Sequence, residues 1–257
     1  MLIQEIGPMK SNLVFVQARL DSSRLPNKVL LPINGRPMVD VQIARIKKSK
    51  RIDDLVVVIP DTKINDVLFN HLETTGVKVF RGSTNDVLQR FIDASNAHKS
   101  ESIIRITADC PLIMPNLLDQ MILYFNQQKV DYLSNALEET FPDGLDIEIF
   151  KANILNRLSQ LELNSEEKEH VTLGIYRRPN MFKISNFSNT LNLGKLRWTV
   201  DYLEDLEFIR RVFLHFEGRE EDFDMNDVLD FIKQNPAQDN KISSNFRNIS
   251  LSKNQNK

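Results

Sequence analysis

The chain alternates short, unbroken apolar runs with longer stretches in which apolar residues return every three or four positions. Leu13-Val14-Phe15-Val16 and Leu55-Val56-Val57-Val58-Ile59 are runs of the first kind, the pattern of strands buried on both faces. Ser102 to Thr107 and the shorter Gly76 to Phe80 predict two more. Between them, Met38, Val41, Ile43 and Ile46 fall at helical spacing, and so do Val87, Leu88, Phe91, Ile92 and Ala94. Asn65 to Thr74 and Pro115 to Gln127 complete the set of early helices. Strands alternating with helices through short loops predict an α/β fold, a mostly parallel sheet with helices on both faces. In such a sheet, ligands collect beyond the carboxyl ends of the strands.

The rhythm changes near Val130. Asp131 to Ser134, Asp146 to Phe150 and Phe182 to Ser185 read as short strands with long polar connections. Residues 130–195 are therefore expected to form a small inserted or edge subregion serving dimerisation and acceptor binding. Arg197-Trp198-Thr199-Val200-Asp201 is expected to return to the main sheet as a strand, followed by helices over Leu203 to Phe216 and Met225 to Lys233. One domain over residues 1–234 and a polar, disordered tail over 235–257 follow from this division, with residues 1–8 a candidate extension outside the fold.

Lys and Arg number 33 against 35 Asp and Glu, a net charge of −2, which argues against a nucleic-acid partner. No apolar run approaches the roughly 20 residues that span a bilayer, and the first residues lack a secretory pattern, so the expectation is a cytoplasmic protein with no membrane partner. Cys110 is the single cysteine, which excludes an internal disulfide framework and leaves a buried structural thiol as its reading. His71, His98 and His215 fall on expected helices; only His170, in Glu169-His170-Val171-Thr172, is a functional candidate.

Chemistry concentrates in a few places. Arg19, Arg24 and Lys28 lie in the polar loop directly after the first strand, with Ser22 and Ser23 between them. Arg and Lys there supply charge and donors for phosphate, although a solvated basic loop is the plainer alternative. The absence of glycine from Gln17 to Lys28 excludes a Walker or dinucleotide loop. Asp109 and Asp201 each follow an apolar run and together suit a divalent ion sitting on a triphosphate; a turn or helix-cap aspartate is the alternative. Glu204 and Asp205 read as surface charges at a helix start. Asp146 and Glu148, two apart, share one strand face that meets either a polyhydroxylated ligand or solvent.

Arg19-X4-Arg24-Leu25-Pro26-X-Lys28 followed by Asn34-Gly35-Arg36-Pro37-Met38 resembles the opening motif of the sugar-acid cytidylyltransferases, the Kdo and CMP-sialic acid synthetase type. Phe80-Arg81-Gly82-Ser83, Thr107-Ala108-Asp109-Cys110-Pro111, Glu169-His170-Val171-Thr172 and Arg197 to Leu206 are similar to the spore-coat polysaccharide branch. The resemblance implies a Rossmann-like, GT-A type fold, a homodimer, Mg²⁺, and transfer from CTP to a free 2-keto-3-deoxy sugar acid with release of pyrophosphate. It implies that Ala18, Arg19, Ser22, Ser23, Arg24, Lys28, Arg81, Gly82, Ser83 and Asp109 bind the nucleotide. Asp109 and Asp201 would carry the metal, and Asp143, Gly144, Asp146, Glu148, Glu169 and His170 would face the acceptor. Tyr202-Leu203 departs from the Thr-Pro frequent in relatives. A GT-A glycosyltransferase, or a transferase using GTP, is the rival reading; Lys28 lies in a polar loop, so its loss is expected to leave melting temperature nearly unchanged.

Overall fold

The structure is a computed structural model and describes residues 11–236. In chain order its elements are β1 (Asn12–Gln17), β2 (Pro32–Ile33), β3 (Arg36–Pro37), α1 (Met38–Ile46), β4 (Asp54–Pro60), α2 (Asp66–Thr74), β5 (Lys78–Gly82), α3 (Val87–Ala97), β6 (Ser102–Thr107) and α4 (Pro115–Gln128). There follow β7 (Tyr132–Ser134), β8 (Glu148–Lys151), α5 (Asn153–Leu158), α6 (Ser165–Glu169), α7 (Leu173–Tyr176), β9 (Ile184–Asn186), α8 (Leu203–His215) and α9 (Met225–Gln234). The expected extension and most of the expected tail lie outside the described residues.

Seven strands form one sheet in the order β5-β4-β1-β6-β8-β7-β9. β8 alone runs against the others, paired antiparallel to β6 and β7. Both faces are covered, which explains why the strand runs are continuously apolar. On β1, Val14 and Val16 join a core with α1, α4, α8 and α9, while Leu13 and Phe15 join a second core with α3 and α5 on the opposite face.

The segment from 130 to 195, expected as an inserted or edge subregion, supplies β7, β8 and β9 at one edge of the main sheet, where β8 hydrogen-bonds directly along β6. One expectation changes here: Arg197 to Asp201 is not a strand. It makes one bridge, Arg197 with Asp143, and is otherwise pinned by single bonds, Trp198 N to Asp143 O at 2.6 Å and Val200 N to Asp109 O at 2.8 Å. Gly144 permits that docking: its φ is +107°, and a Cβ would lie 2.5 Å from Thr199 N. Elsewhere Asn34-Gly35 forms the tight turn of the β2–β3 hairpin, both residues at positive φ.

Candidate active site

The site lies at the carboxyl ends of β1, β4 and β6. The loop from Ala18 to Asn27 leaves β1 and ends in a short 3-10 helix, Lys28–Leu30. That turn drives Lys28 inward rather than into solvent; the residue is 8% exposed. Its ammonium Nζ donates to Asp109 Oδ2 at 3.0 Å, Asp201 Oδ1 at 2.9 Å and Val200 O at 2.7 Å. The expectation that losing Lys28 would hardly change stability is thus corrected: a buried ammonium is tolerated only with such partners, and they depend on it in turn. Burial alone would lower its pKa, but Asp109 and Asp201 more than offset that and hold it above the usual lysine value. Burial likewise opposes ionisation of Asp109, yet Lys28 and the Thr107 and Cys110 side chains bring it down to about 2. Asp201 is lowered too, against burial and the neighbouring Asp109, by Lys28 and Arg24. Arg24 reaches Asp201 Oδ1 at 2.6 Å.

Asp201 is held from its other side by Arg197. The buried guanidinium binds Asp143 at 2.9 Å, Asp201 at 2.9 Å and Asp205 at 3.2 Å. Asp205 is buried, not a surface charge; its carboxylate also accepts from Asp201 N at 2.9 Å and Tyr202 N at 3.0 Å, capping the start of α8. Glu204 is exposed, as expected.

Two cavities open here. The smaller, about 470 Å³, is walled by Ala18, Arg19, Ser22, Ser23, Lys28 and Glu169 among others, and the larger, about 580 Å³, by Asp143, Asp146, Glu148 and Tyr132 among others. Arg24, Arg105, Thr107, Asp109, His170 and Asp201 belong to both. The structure therefore brings together most of the residues singled out in the sequence. It does not bring in Arg81, Gly82 or Ser83 as cavity wall. Arg81 turns away to Asp61 at 2.9 Å and Asp66 at 2.7 Å; the wall beyond β5 is instead Thr84, Val87 and Arg90. Gly144 lines neither cavity and acts through packing under Trp198 and Thr199.

Several residues escaped the sequence reading. Arg105 sits opposite Glu148 in the β6–β8 register and is ion-paired to it. Tyr132 donates to Glu148 Oε1 at 2.6 Å, and the Thr172 hydroxyl bonds the same oxygen. Arg90 is buried with Nε on Ser83 O at 2.7 Å, its pKa lowered to about 10 by burial and Arg19. A charged residue inside an otherwise apolar strand, as Arg105 is in Ser-Ile-Ile-Arg-Ile-Thr, was the available signal, since it requires a buried partner.

Among the described residues no group of three or more His, Cys, Asp or Glu converges to hold a metal. Asp109 and Asp201 do converge, on the single point where the Lys28 ammonium stands. Two carboxylate ligands are what Mg²⁺ takes when phosphate oxygens complete its shell, so the donor set fits that ion. Also among the described residues, no helix is long and apolar enough to cross a membrane.

Adjoining polar cavities at the carboxyl end of a parallel sheet suit a transferase that brings a nucleotide against a second small molecule. The chain belongs to the cytidylyltransferase family, whose sequence profile matches residues 13–236. It is 33% identical over 237 residues to the spore coat polysaccharide biosynthesis protein SpsF of Bacillus subtilis, covering 89% of this chain and 96% of that one. It is 26% identical to an 8-amino-3,8-dideoxy-manno-octulosonate cytidylyltransferase of Shewanella piezotolerans, over 77% of this chain and 84% of the relative. Among solved structures, a cytidylyltransferase from Leptospira borgpetersenii superposes with a TM-score of 0.83 at 32% identity, covering 91% of this chain and 98% of that one.

Proposed function

We propose that the protein transfers the cytidylyl group of CTP to a free 2-keto-3-deoxy sugar acid, of the nonulosonic or Kdo-like type, and releases pyrophosphate. The observation that carries this reading is the seam between the two cavities: a cation-rich cavity after β1 and a second, acid- and hydroxyl-lined cavity share one wall. The name of the Shewanella relative supports a sugar-acid acceptor. That of the Bacillus relative supports a place in surface polysaccharide biosynthesis.

Arg19, Arg24 and Lys28 neutralise the triphosphate, and Ser22 and Ser23 add hydroxyl donors. Lys28 and Arg24 already face the carboxylates that would hold the ion, so an arriving triphosphate meets its cations at that point. Asp109 and Asp201 would hold Mg²⁺, which when bound supplies charge neutralisation and polarises the α-phosphate. The larger cavity orients the acceptor through Asp143, Asp146 and Glu148, and Arg105 fixes Glu148 in place. In-line displacement of this kind relies on positioning and charge rather than a protein nucleophile.

A pyrophosphate-release screen of the four ribonucleoside triphosphates against a panel of sugar acids tests the reading. Release confined to CTP with a 2-keto acid is expected. Sugar transfer from a nucleotide sugar, or release only with GTP, overturns it.

A further inference from the structure

Six residues line both cavities, and five of them are already engaged through their side chains. Arg24 is on Asp201, Arg105 on Glu148, Asp109 and Asp201 on Lys28, and the Thr107 hydroxyl lies 3.4 Å from Cys110 Sγ. The sixth is His170. Its half-buried imidazole makes no side-chain hydrogen bond with any described residue. The backbone beside it is unusual. Val171 has φ +47°, a left-handed conformation that a β-branched residue rarely adopts, and Thr172 N folds back onto His170 O. Such strain persists only where the surroundings over-determine it. Here Val171 is fully buried in the core on the α3 face, and the Thr172 hydroxyl is tied to Glu148. Packing on one side and a hydrogen bond on the other therefore hold the imidazole at the seam.

We propose that His170 is the general base of the transfer. A ring nitrogen takes the proton of the acceptor hydroxyl as that oxygen bonds to the α-phosphorus and the bond to pyrophosphate breaks. Pyrophosphate leaves as the anion, and the imidazolium returns its proton to solvent after the products depart. The inference rests on the cytidylyl-transfer reading.

The charges around the ring suit the role. Burial lowers its pKa below that of an ordinary histidine; Glu166 and Glu169 on its own segment and Glu148 on β8 oppose that, and Arg105 on β6 adds to it. The imidazole is then neutral at pH 7 and free to accept. Asp109 and Asp201, the other candidates at the seam, are engaged by Lys28 and held below the usual carboxylate range, which makes them weak proton acceptors.

The test is the pH dependence of kcat for wild type, His170→Gln and His170→Ala, with CTP saturating and an acceptor found by pyrophosphate release. The wild-type rate is expected to fall as pH drops through the lowered histidine value. His170→Gln should lose about 10²-fold or more in kcat and the acid limb with it, at little change in KM for CTP. Added imidazole should partly restore His170→Ala. Melting temperatures within a degree or two of wild type would show that folding is not the cause. Turnover by His170→Gln within about twofold of wild type, or an unaltered acid limb, overturns the proposal while leaving cytidylyl transfer intact. Absence of pyrophosphate release by wild type with every triphosphate and acceptor overturns both.

Discussion

In the proposed reaction Lys28 would link stability to substrate binding, because the ammonium that would neutralise a triphosphate is also the partner of Asp109 and Asp201. Lys28→Ala leaves two largely buried carboxylates facing each other, a change that costs about 3 kcal/mol when one partner of a buried pair is removed. The expected outcome is a melting temperature lower by several degrees at pH 7, read by thermal denaturation. A melt superimposable on wild type would return Lys28 to the solvated loop. In calorimetric titration the same variant should bind CTP at least tenfold more weakly while binding of CMP, which lacks the two outer phosphates, changes little. The sign of the pH effect follows from Asp109. Its folded pKa, about 2, lies below the unfolded value, so its contribution is present above about pH 4 and is lost as pH falls toward 2. The gap in stability between wild type and Lys28→Ala should therefore narrow across that window. If they hold the ion as proposed, Asp109→Asn and Asp201→Asn should each lower turnover by on the order of 10²-fold; near wild-type rates at limiting Mg²⁺ would overturn that residue's assignment as a ligand. Residue types and spacing singled out Lys28, Asp109 and Asp201 as candidates. Their mutual contact was not legible, since it joins positions 81 and 173 residues apart, and neither Arg197 nor Asp205 carries any local mark of the contacts that hold Asp201.

At the scale of elements, the legible parts are those whose burial is written into their own sequence. β1, β4 and β6 are apolar on both sides because a core lies on both sides, and α4 shows its one buried face by spacing. The Trp198-Thr199-Val200 run has the same β-branched, apolar character and is buried, yet it forms no strand. Its backbone partners are single groups on Asp109 and Asp143 rather than a ladder, and no local pattern distinguishes these cases. What holds this loop is a backbone approach that Gly144 alone permits. Gly144→Ala places a methyl 2.5 Å from Thr199 N, on a residue at φ +107°, and is expected to cost about 2 kcal/mol or more. The shift would displace the segment that carries Asp201, so turnover should fall along with the melting temperature. Circular dichroism melts and pyrophosphate release on the same preparation check this. Wild-type values for both would mean that the 142–145 turn does not support the loop.

Across the whole molecule, the seven strands make one sheet and the larger core joins Val14 on β1 to Phe231 on α9. The strands of the expected inserted or edge subregion, β7, β8 and β9, extend that sheet from β6 through β8 and share side chains with both cores. Their sequences announced short strands but did not choose between an insertion and the sheet edge, because a strand as short as Tyr132–Ser134 takes its place from neighbours rather than from its own pattern. Unfolding should accordingly be one cooperative transition in differential scanning calorimetry, with van't Hoff and calorimetric enthalpies in agreement; two resolved transitions would establish an independent acceptor module. Ligand binding should act on that same transition, since the cavity walls come from the β1 loop, the end of β6 and the Arg197 to Asp201 segment together. CTP with Mg²⁺ at about 100 times its dissociation constant adds about 2.7 kcal/mol to the folded state, or roughly 5–10 °C for a chain of this size. CMP at the same concentration should raise the midpoint less, because the cations around Lys28 find fewer phosphates to bind. Equal shifts with the two nucleotides would move those cations away from the β- and γ-phosphates, and a shift confined to one of two transitions would divide the molecule that the sheet joins.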